Sequence, residues 1–348
     1  MKVFLGAVFF LFFLAFIFSN FLKGLFYLSE SSVAKSQVVF VGPRNLDQYS
    51  ILALRQRPFS GSDFKIEKTL KETSDFSSYL FSFLTKGLKV TGMINIPKGE
   101  GPFPVVLMVR GYVDREKYST GVGTSRVADF LAAKGYLTIA PDFLGFGGSD
   151  WPSVDPFEER FRSYTTLIDL YGLVTQKRDG DCQFSNPPTG AWRASDWRAG
   201  VKCELIYIWA HSNGGQIALT FLEVTGLSIP TALWAPVSKP FPYSILYFTD
   251  EMSDRGKELR KALAKFEGLY DVNKYSLAEY LDSIKAPILL QQGTADPSVP
   301  RIWSDELYQK LQDLGKEAVY EVYEGADHNL LGSWDKAVQR DWEFFQTH

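Results

Sequence analysis

Three residues in this 348-residue chain supply a nucleophile, a base and an acid: Ser212, His328 and Asp296. A serine hydroxyl is a weak nucleophile at neutral pH. It attacks a carbonyl when an imidazole takes its proton and a carboxylate orients that imidazole. The chain has three histidines, so the search for a base is short. His348 is the last residue, where chains fray. His211 adjoins Ser212, and neighbouring side chains on a strand point to opposite faces. His328 remains, in Tyr323-Glu324-Gly325-Ala326-Asp327-His328-Asn329, after the last apolar run. Asp296 lies in Gly293-Thr294-Ala295-Asp296-Pro297, just past the preceding apolar run. Asp327 is too close in sequence to bond the ring of His328, and Asp282 precedes its strand and falls at the wrong edge of a sheet.

Ser212 needs an element that holds it at the tip of a tight turn. Leu205-Ile206-Tyr207-Ile208-Trp209 reads as a buried strand, and Gln216-Ile217-Ala218-Leu219-Thr220-Phe221-Leu222 as a helix. Between them, Ala210-His211-Ser212-Asn213-Gly214 fits the small-x-Ser-x-Gly pattern of a strained strand-to-helix turn. An oxyanion forming at such a serine needs convergent donors. The backbone N–H of Asn213 is the first. The second comes from Arg110-Gly111-Tyr112 after the strand Val105 to Val109, with the Tyr112 backbone N–H preferred. The side chains of Arg110 and Tyr112 are further donors among which the sequence does not choose.

The surrounding pattern alternates strand and helix. Antiparallel strands are expected at Phe64 to Leu70, Ser78 to Thr85 and Leu88 to Ile96. Val105 to Val109 reads as a strand buried on both faces, and Tyr136 to Ala140, Thr231 to Trp234, Ile288 to Gln292 and Val319 to Tyr323 as further strands. Helices fit at Val127 to Lys134, Phe157 to Gln176, Asp305 to Leu314 and Lys336 to Phe345. This order predicts an α/β architecture, a mainly parallel sheet with helices on both faces. It also places Ser212, Asp296 and His328 at successive carboxyl ends of strands, where such sheets put their chemistry.

Two insertions interrupt the alternation. Gly180 to Lys202 is bracketed by Cys182 and Cys203. They either form a disulfide closing a loop of about 20 residues, worth roughly 3 kcal/mol, or stay as two thiols. Residues 238–281 read as a small cap, in which Phe241, Tyr243 and Tyr247 would line a substrate pocket. At the other end, Val3 to Leu22 is uncharged and apolar between Lys2 and Lys23. About 20 such residues span a bilayer, so residues 1–23 are expected to be an uncleaved single-pass anchor holding an extracytoplasmic domain. The alternative is a signal peptide and a secreted protein. Residues 24–63 read as a connector with one short helix at Leu46 to Gln56, and residues 64–348 as the catalytic domain.

The net charge of −3 gives no footprint for nucleic acid. Three scattered histidines offer no metal cluster, and no phosphate-cradling or dinucleotide-binding glycine pattern is present. No cofactor is expected, and the sequence leaves the oligomeric state open.

From Leu88 to Phe345 the chain resembles the α/β-hydrolases, in particular the prolyl oligopeptidase (S9) catalytic domain and its dienelactone hydrolase and acyl esterase relatives. The resemblance rests on the turn from Ala210 to Gly215, on Pro141-Asp142 with Gly145, Gly147 and Ser149, on Gly293 to Asp296 with Val299-Pro300, and on Asp327-His328. It implies an α/β-hydrolase fold with Ser212 as nucleophile, Asp296 as acid and His328 as base, acting on a peptide or ester substrate. Two departures stand out. Ala210 replaces the usual glycine, and Arg110 occupies a position where prolyl peptidases use a tyrosine hydroxyl at the oxyanion hole. The reading is therefore a membrane-anchored serine hydrolase, S9 peptidase-like or a carboxylesterase. Arg110 motivates a third reading, an inactive hydrolase-fold binding protein.

Overall fold

The structure, a computed structural model, describes residues 45–59, 61–175 and 201–348. Among them, nine strands form one sheet in the order β1-β2-β3-β5-β4-β6-β7-β8-β9. β1 (Gly61–Glu72), β2 (Phe76–Thr85), β3 (Leu88–Pro97) and β5 (Leu137–Pro141) are joined by antiparallel pairings. β4 (Phe103–Val109), β6 (Val201–His211), β7 (Thr231–Trp234), β8 (Ile288–Gly293) and β9 (Ala318–Tyr323) continue from β5 in parallel. The antiparallel start and parallel remainder match the order read from the sequence.

The central strands are apolar at nearly every position because both faces of the sheet are covered. Val105, Leu107, Val109, Ile208, Ala210, Leu233 and Leu290 face one core. Helices α3 (Pro156–Thr175) and α4 (Asn213–Thr225) pack there through Phe161, Leu167, Phe221 and Leu222. The alternate residues Val106, Met108, Trp209, Ala232, Trp234 and Leu289 face a second core. It is closed by α2 (Ser125–Ala133) and α8 (Trp334–Thr347) through Val127, Leu131, Val338 and Phe345. Full burial of each such side chain is worth about 1.5–3 kcal/mol.

Three boundaries differ from the sequence reading. The stretch from Asn45 onward belongs to the same compact unit as the sheet, and Leu46, Tyr49, Ile51 and Leu54 are buried in the first core. The helix expected across Leu46 to Gln56 is split at Ser50, whose extended backbone ends one 3-10 turn and whose hydroxyl caps the five-residue α1 (Ile51–Arg55). β1 is longer than expected, because an edge strand carrying Lys65, Lys68 and Lys71 needs no burial on its outer face. Within residues 238–281, the short α5 (Tyr243–Leu246) precedes α6 (Lys257–Glu267). This segment is anchored by Phe241, Leu263, Phe266 and Tyr275 in the first core. Later elements are α7 (Arg301–Asp313) and α8.

Among the described residues, no helix is long and apolar enough to cross a membrane. The run Val3 to Leu22 lies outside them, as does Cys182 with most of the first insertion.

One buried group makes a pH prediction. Glu223 on α4 is 1% exposed, and among the described residues neither carboxyl oxygen has a hydrogen-bond partner. Burial raises its pKa well above the ordinary value, against a smaller pull from Arg55. The folded protein then holds the neutral acid, whereas the unfolded chain releases its proton near pH 4. Stability from this group is complete below that pH and is lost as pH rises toward the folded pKa. Glu223→Gln should remove that loss. Its melting temperature relative to wild type should climb between pH 4 and pH 8, and a pH-independent difference would show that Glu223 does not titrate.

Candidate active site

Ser212 sits between β6 and α4 with φ 56° and ψ −122°, a conformation that costs a non-glycine residue energy unless its surroundings impose it. They do so through its backbone. Ser212 N–H donates to the Trp234 carbonyl at 2.9 Å, and its carbonyl accepts from Gly215 and Val237 N–H, each at 2.9 Å. The turn also requires a close approach. A Cβ on Gly214 would lie 2.2 Å from the Val109 carbonyl oxygen, so the start of α4 presses on the end of β4 with no room for a side chain. Ala210, in place of the usual glycine, is fully buried in the first core.

The loop after β4 runs directly against the serine. A Cβ on Gly111 would meet Ser212 Cβ at 2.8 Å and Ser212 Oγ at 3.4 Å. The side chains flanking Gly111 point elsewhere. Tyr112 is 76% exposed, and its hydroxyl donates to Asp114. Arg110 is buried, with Nη1 donating to the Gly111 carbonyl at 2.9 Å and Nη2 to the Asp142 carbonyl at 2.8 Å. Its guanidinium lies 4.0 Å from the Phe146 ring centroid and 4.6 Å from that of Tyr118. Of the donors the sequence left open here, the Tyr112 hydroxyl is engaged by Asp114 and the two Arg110 Nη groups by backbone carbonyls, while the buried Arg110 Nε has no partner among the described residues. Asp142, from the Pro141-Asp142 motif, is the hub of this region. Its carboxylate accepts from Tyr118, Thr91 and Thr120 hydroxyls at 2.6, 2.6 and 2.9 Å. Burial raises its pKa, against these three bonds and the charge of Arg110.

His328 and Asp296 are brought together from the loops after β9 and β8. His328 Nδ1 lies 2.8 Å from Asp296 Oδ2, and the Asp296 side chain is fully shielded from solvent. Burial alone would raise the Asp296 pKa. The hydrogen bond and charge of His328, with N–H donation from Val299 and Ser298, outweigh it and leave the carboxyl below its usual range. An ionised carboxylate only accepts, so His328 Nδ1 must donate, and Nε2 is left as the basic nitrogen.

His211 is held by the backbone of His328. Its Nε2 lies 2.9 Å from the His328 carbonyl, and the two rings are 4.6 Å apart. Burial first, then the charge of His328, push its pKa down to about 4. The neutral ring donates Nε2–H to that carbonyl and braces the backbone that carries His328.

Gln292 escaped the sequence reading. It is fully buried at the end of β8, and its Nε2 donates to Asp296 Oδ2 at 3.0 Å while its Oε1 accepts from Ser304. Gln291 faces the other way and donates to the buried Asp341 at 2.6 Å. Two glutamines closing an otherwise apolar strand were the available signal. A buried amide demands partners, and these two find carboxylates on opposite faces of the sheet.

The pocket wall drawn from the sequence is only partly present. Phe241 is 2% exposed and packs against Phe157, Phe161 and Phe266, so it is a core residue. Its apolarity served the packing of the segment instead of a ligand. Tyr243 and Tyr247 are about half exposed and contact Trp303, with ring centroids 6.0 and 4.8 Å away. Of the proposed disulfide, Cys182 lies outside the described residues, and only the backbone of Cys203 is described, within β6.

Residues 198–348 match the prolyl oligopeptidase family. An uncharacterized peptidase, YtmA of Bacillus subtilis strain 168, is 25% identical over 272 residues, covering 75% of this chain and 90% of that protein. The acetyl xylan esterase of Paenibacillus sp. R4 superposes with a TM-score of 0.58 at 17% identity, over 84% of this chain and 91% of that one. Acetyl xylan esterase 1 of Thermoanaerobacterium sp. JW/SL YS485 does so at 0.54 and 17%, over 87% and 94%. The acylaminoacyl peptidase of Pyrococcus horikoshii does so at 0.53 and 20%, over 79% of this chain but 42% of that one. The solved structures share the α/β-hydrolase fold. With the family match, they support a serine hydrolase that is either a peptidase or an esterase.

Proposed function

We propose that this protein cleaves an ester or peptide bond through an acyl-enzyme on Ser212, with His328 as base and Asp296 as its orienting acid. The observation that carries the reading is the 2.8 Å contact between His328 Nδ1 and a shielded, ionised Asp296. It fixes the tautomer whose Nε2 can take a serine proton. Ser212 Oγ attacks the substrate carbonyl as His328 takes its proton. The oxyanion that forms accepts from the backbone N–H groups of Asn213 and Tyr112, at the start of α4 and on the loop against Ser212. His328 then gives its proton to the leaving oxygen or nitrogen, the bond to the carbonyl carbon breaks, and water repeats the sequence to release the acid.

Arg110 enters this reading as a positioning residue. Its two bonds tie the Gly111 carbonyl to the end of β5 and so hold the Tyr112 N–H in place. In that role the arginine takes no backbone donor away from the serine, whereas the inactive-protein reading supposes that it does. Arg110→Met should lower kcat by about 10- to 100-fold with KM nearly unchanged, since loss of one oxyanion donor outright costs 10²–10³. A matching fall in both kcat and melting temperature would reduce Arg110 to a stabilising role.

Coverage does not separate the esterase from the peptidase: the acetyl xylan esterases are matched over 91% and 94% of their length and the peptidase YtmA over 90%. In either, the acyl group would lie against Tyr243, Tyr247 and Trp303. The apolar run Val3 to Leu22 remains the argument for a membrane tether. Labelling with a fluorophosphonate, followed by matched p-nitrophenyl ester and aminoacyl p-nitroanilide assays, tests the proposal. Labelling at Ser212 with ester turnover alone selects the esterase, anilide turnover selects the peptidase, and folded protein that takes no label overturns both.

A further inference from the structure

Helix α8 buries Ala337, Val338, Asp341, Phe344 and Phe345. Their spacing is that of one helical face, and one of the five is a carboxyl. Asp341 is fully buried, and a carboxyl in such a place requires partners. Trp234 Nε1 donates to its Oδ2 at 3.0 Å, and Gln291 Nε2 donates to its Oδ1 at 2.6 Å. Gln291 Oε1 in turn accepts from the Tyr323 hydroxyl, and Arg340 Nη1 donates to that hydroxyl at 3.1 Å. Trp234, Gln291 and Tyr323 are themselves buried.

These three residues lie on three adjacent strands. Trp234 ends β7, Gln291 pairs with it in β8, and Tyr323 ends β9. Each bears on one member of the proposed triad. The Trp234 carbonyl accepts the Ser212 N–H at 2.9 Å. Gln291 precedes Gln292, whose amide donates to Asp296 Oδ2 at 3.0 Å. Tyr323 opens the loop that carries His328, and its carbonyl accepts the Thr294 N–H of the Asp296 loop at 3.0 Å. One carboxyl on α8 thus fastens the strand ends from which the site is built. Without it, Trp234 Nε1 has no acceptor, and Gln291 Nε2 keeps only the Ala337 carbonyl at 3.2 Å. A buried donor left unpaired is costly enough for its side chain to turn toward another acceptor. A shift of about 1 Å passed on to the reacting groups costs about 10²-fold in rate.

We infer that Asp341 is a positioning residue for the acyl transfer, holding the ends of β7, β8 and β9 where Ser212, Asp296 and His328 meet. The inference rests on the proposed acyl-enzyme reading. Asp341 acts at a distance, through the indole of Trp234 on the serine and through the amide of Gln291 and the hydroxyl of Tyr323 on the strands that carry the acid and the base.

Turnover of p-nitrophenyl acetate, counted per site titrated with a fluorophosphonate and measured below the onset of melting, tests it. A residue that serves stability alone changes the number of sites that take the label. A positioning residue lowers the turnover of each site and the rate constant of labelling. Asp341→Ala should lower kcat per site by about 10- to 100-fold with KM within about threefold of wild type. Tyr323→Phe deletes one hydroxyl and frees the Gln291 amide, so it should lower kcat per site by about 3- to 10-fold. It decides the matter if Asp341→Ala does not fold. If the enzyme turns over amides only, alanine p-nitroanilide replaces the ester with the same expectation. Turnover per site within about twofold of wild type in Tyr323→Phe overturns the inference, as does the same result in folded Asp341→Ala. So does a raised KM with kcat unchanged, which would make the effect one of substrate binding. Failure of the underlying reading shows separately, as ester turnover that survives Ser212→Ala.

Discussion

Ser212→Ala is expected to lose at least about 10⁴-fold in kcat and all labelling by fluorophosphonates, with the melting temperature within about 2 °C of wild type. The two halves of that expectation come from different parts of the residue. The backbone carries the structural load. Its N–H is bound to the Trp234 carbonyl, and its carbonyl accepts from Gly215 and Val237. Alanine keeps all three bonds and also keeps the Cβ that meets Gly111. The turn at φ 56° therefore survives the substitution. Only Oγ is lost, and with it the atom proposed to form the acyl bond. Single-turnover acylation with a p-nitrophenyl ester, measured beside thermal unfolding, separates the two. Full turnover in the folded variant would move the chemistry off the β6–α4 turn. A variant that unfolds early would show that Oγ itself is part of the packing.

Much of this arrangement was legible from the chain because its signals are local. Val105 to Val109 is apolar without alternation, as a strand covered on both faces must be, and Thr231 to Trp234 and Ile288 to Gln292 are largely so. Ser212, Asp296 and His328 each follow a strand of the parallel set, so topology alone put them at one edge. The features that escaped depend on what a side chain meets across the fold. Leu46, Tyr49, Ile51 and Leu54 sit in a polar stretch that reads as a linker, yet they complete the first core. Phe241 looks like a pocket residue by its company of tyrosines, but the neighbouring rings of Phe157, Phe161 and Phe266 draw it inward. The sequence placed Arg110 at the oxyanion loop and could not aim it. Its direction is set by the ring of Tyr118, eight residues on, and by the Asp142 carbonyl and the ring of Phe146 from the loop after β5.

Asp296→Asn should lower kcat by about 10⁴-fold while leaving KM within a few-fold, because it reverses the hydrogen bonding of His328 and changes little else. Asp296 Oδ1 accepts two backbone N–H groups, from Ser298 at 2.8 Å and Val299 at 2.9 Å. An asparagine must put its single oxygen there, since its NH₂ would face two fixed donors. The NH₂ group then takes the place of Oδ2. In the wild type that atom accepts from both His328 Nδ1 and Gln292 Nε2. Facing an NH₂, His328 Nδ1 can only accept, so its proton moves to Nε2. The nitrogen proposed to receive the serine proton is then already protonated. The Gln292 amide also loses an acceptor, but it keeps contacts to the Gly293 and Val299 carbonyls, so the cost to stability is modest, about 1–2 kcal/mol. Steady-state kinetics with thermal unfolding distinguishes the cases. A large loss of kcat in a folded protein assigns Asp296 to holding the tautomer. A loss below about tenfold would mean that another group sets the orientation of His328, and the first to replace would then be His211, whose ring already supports the His328 carbonyl.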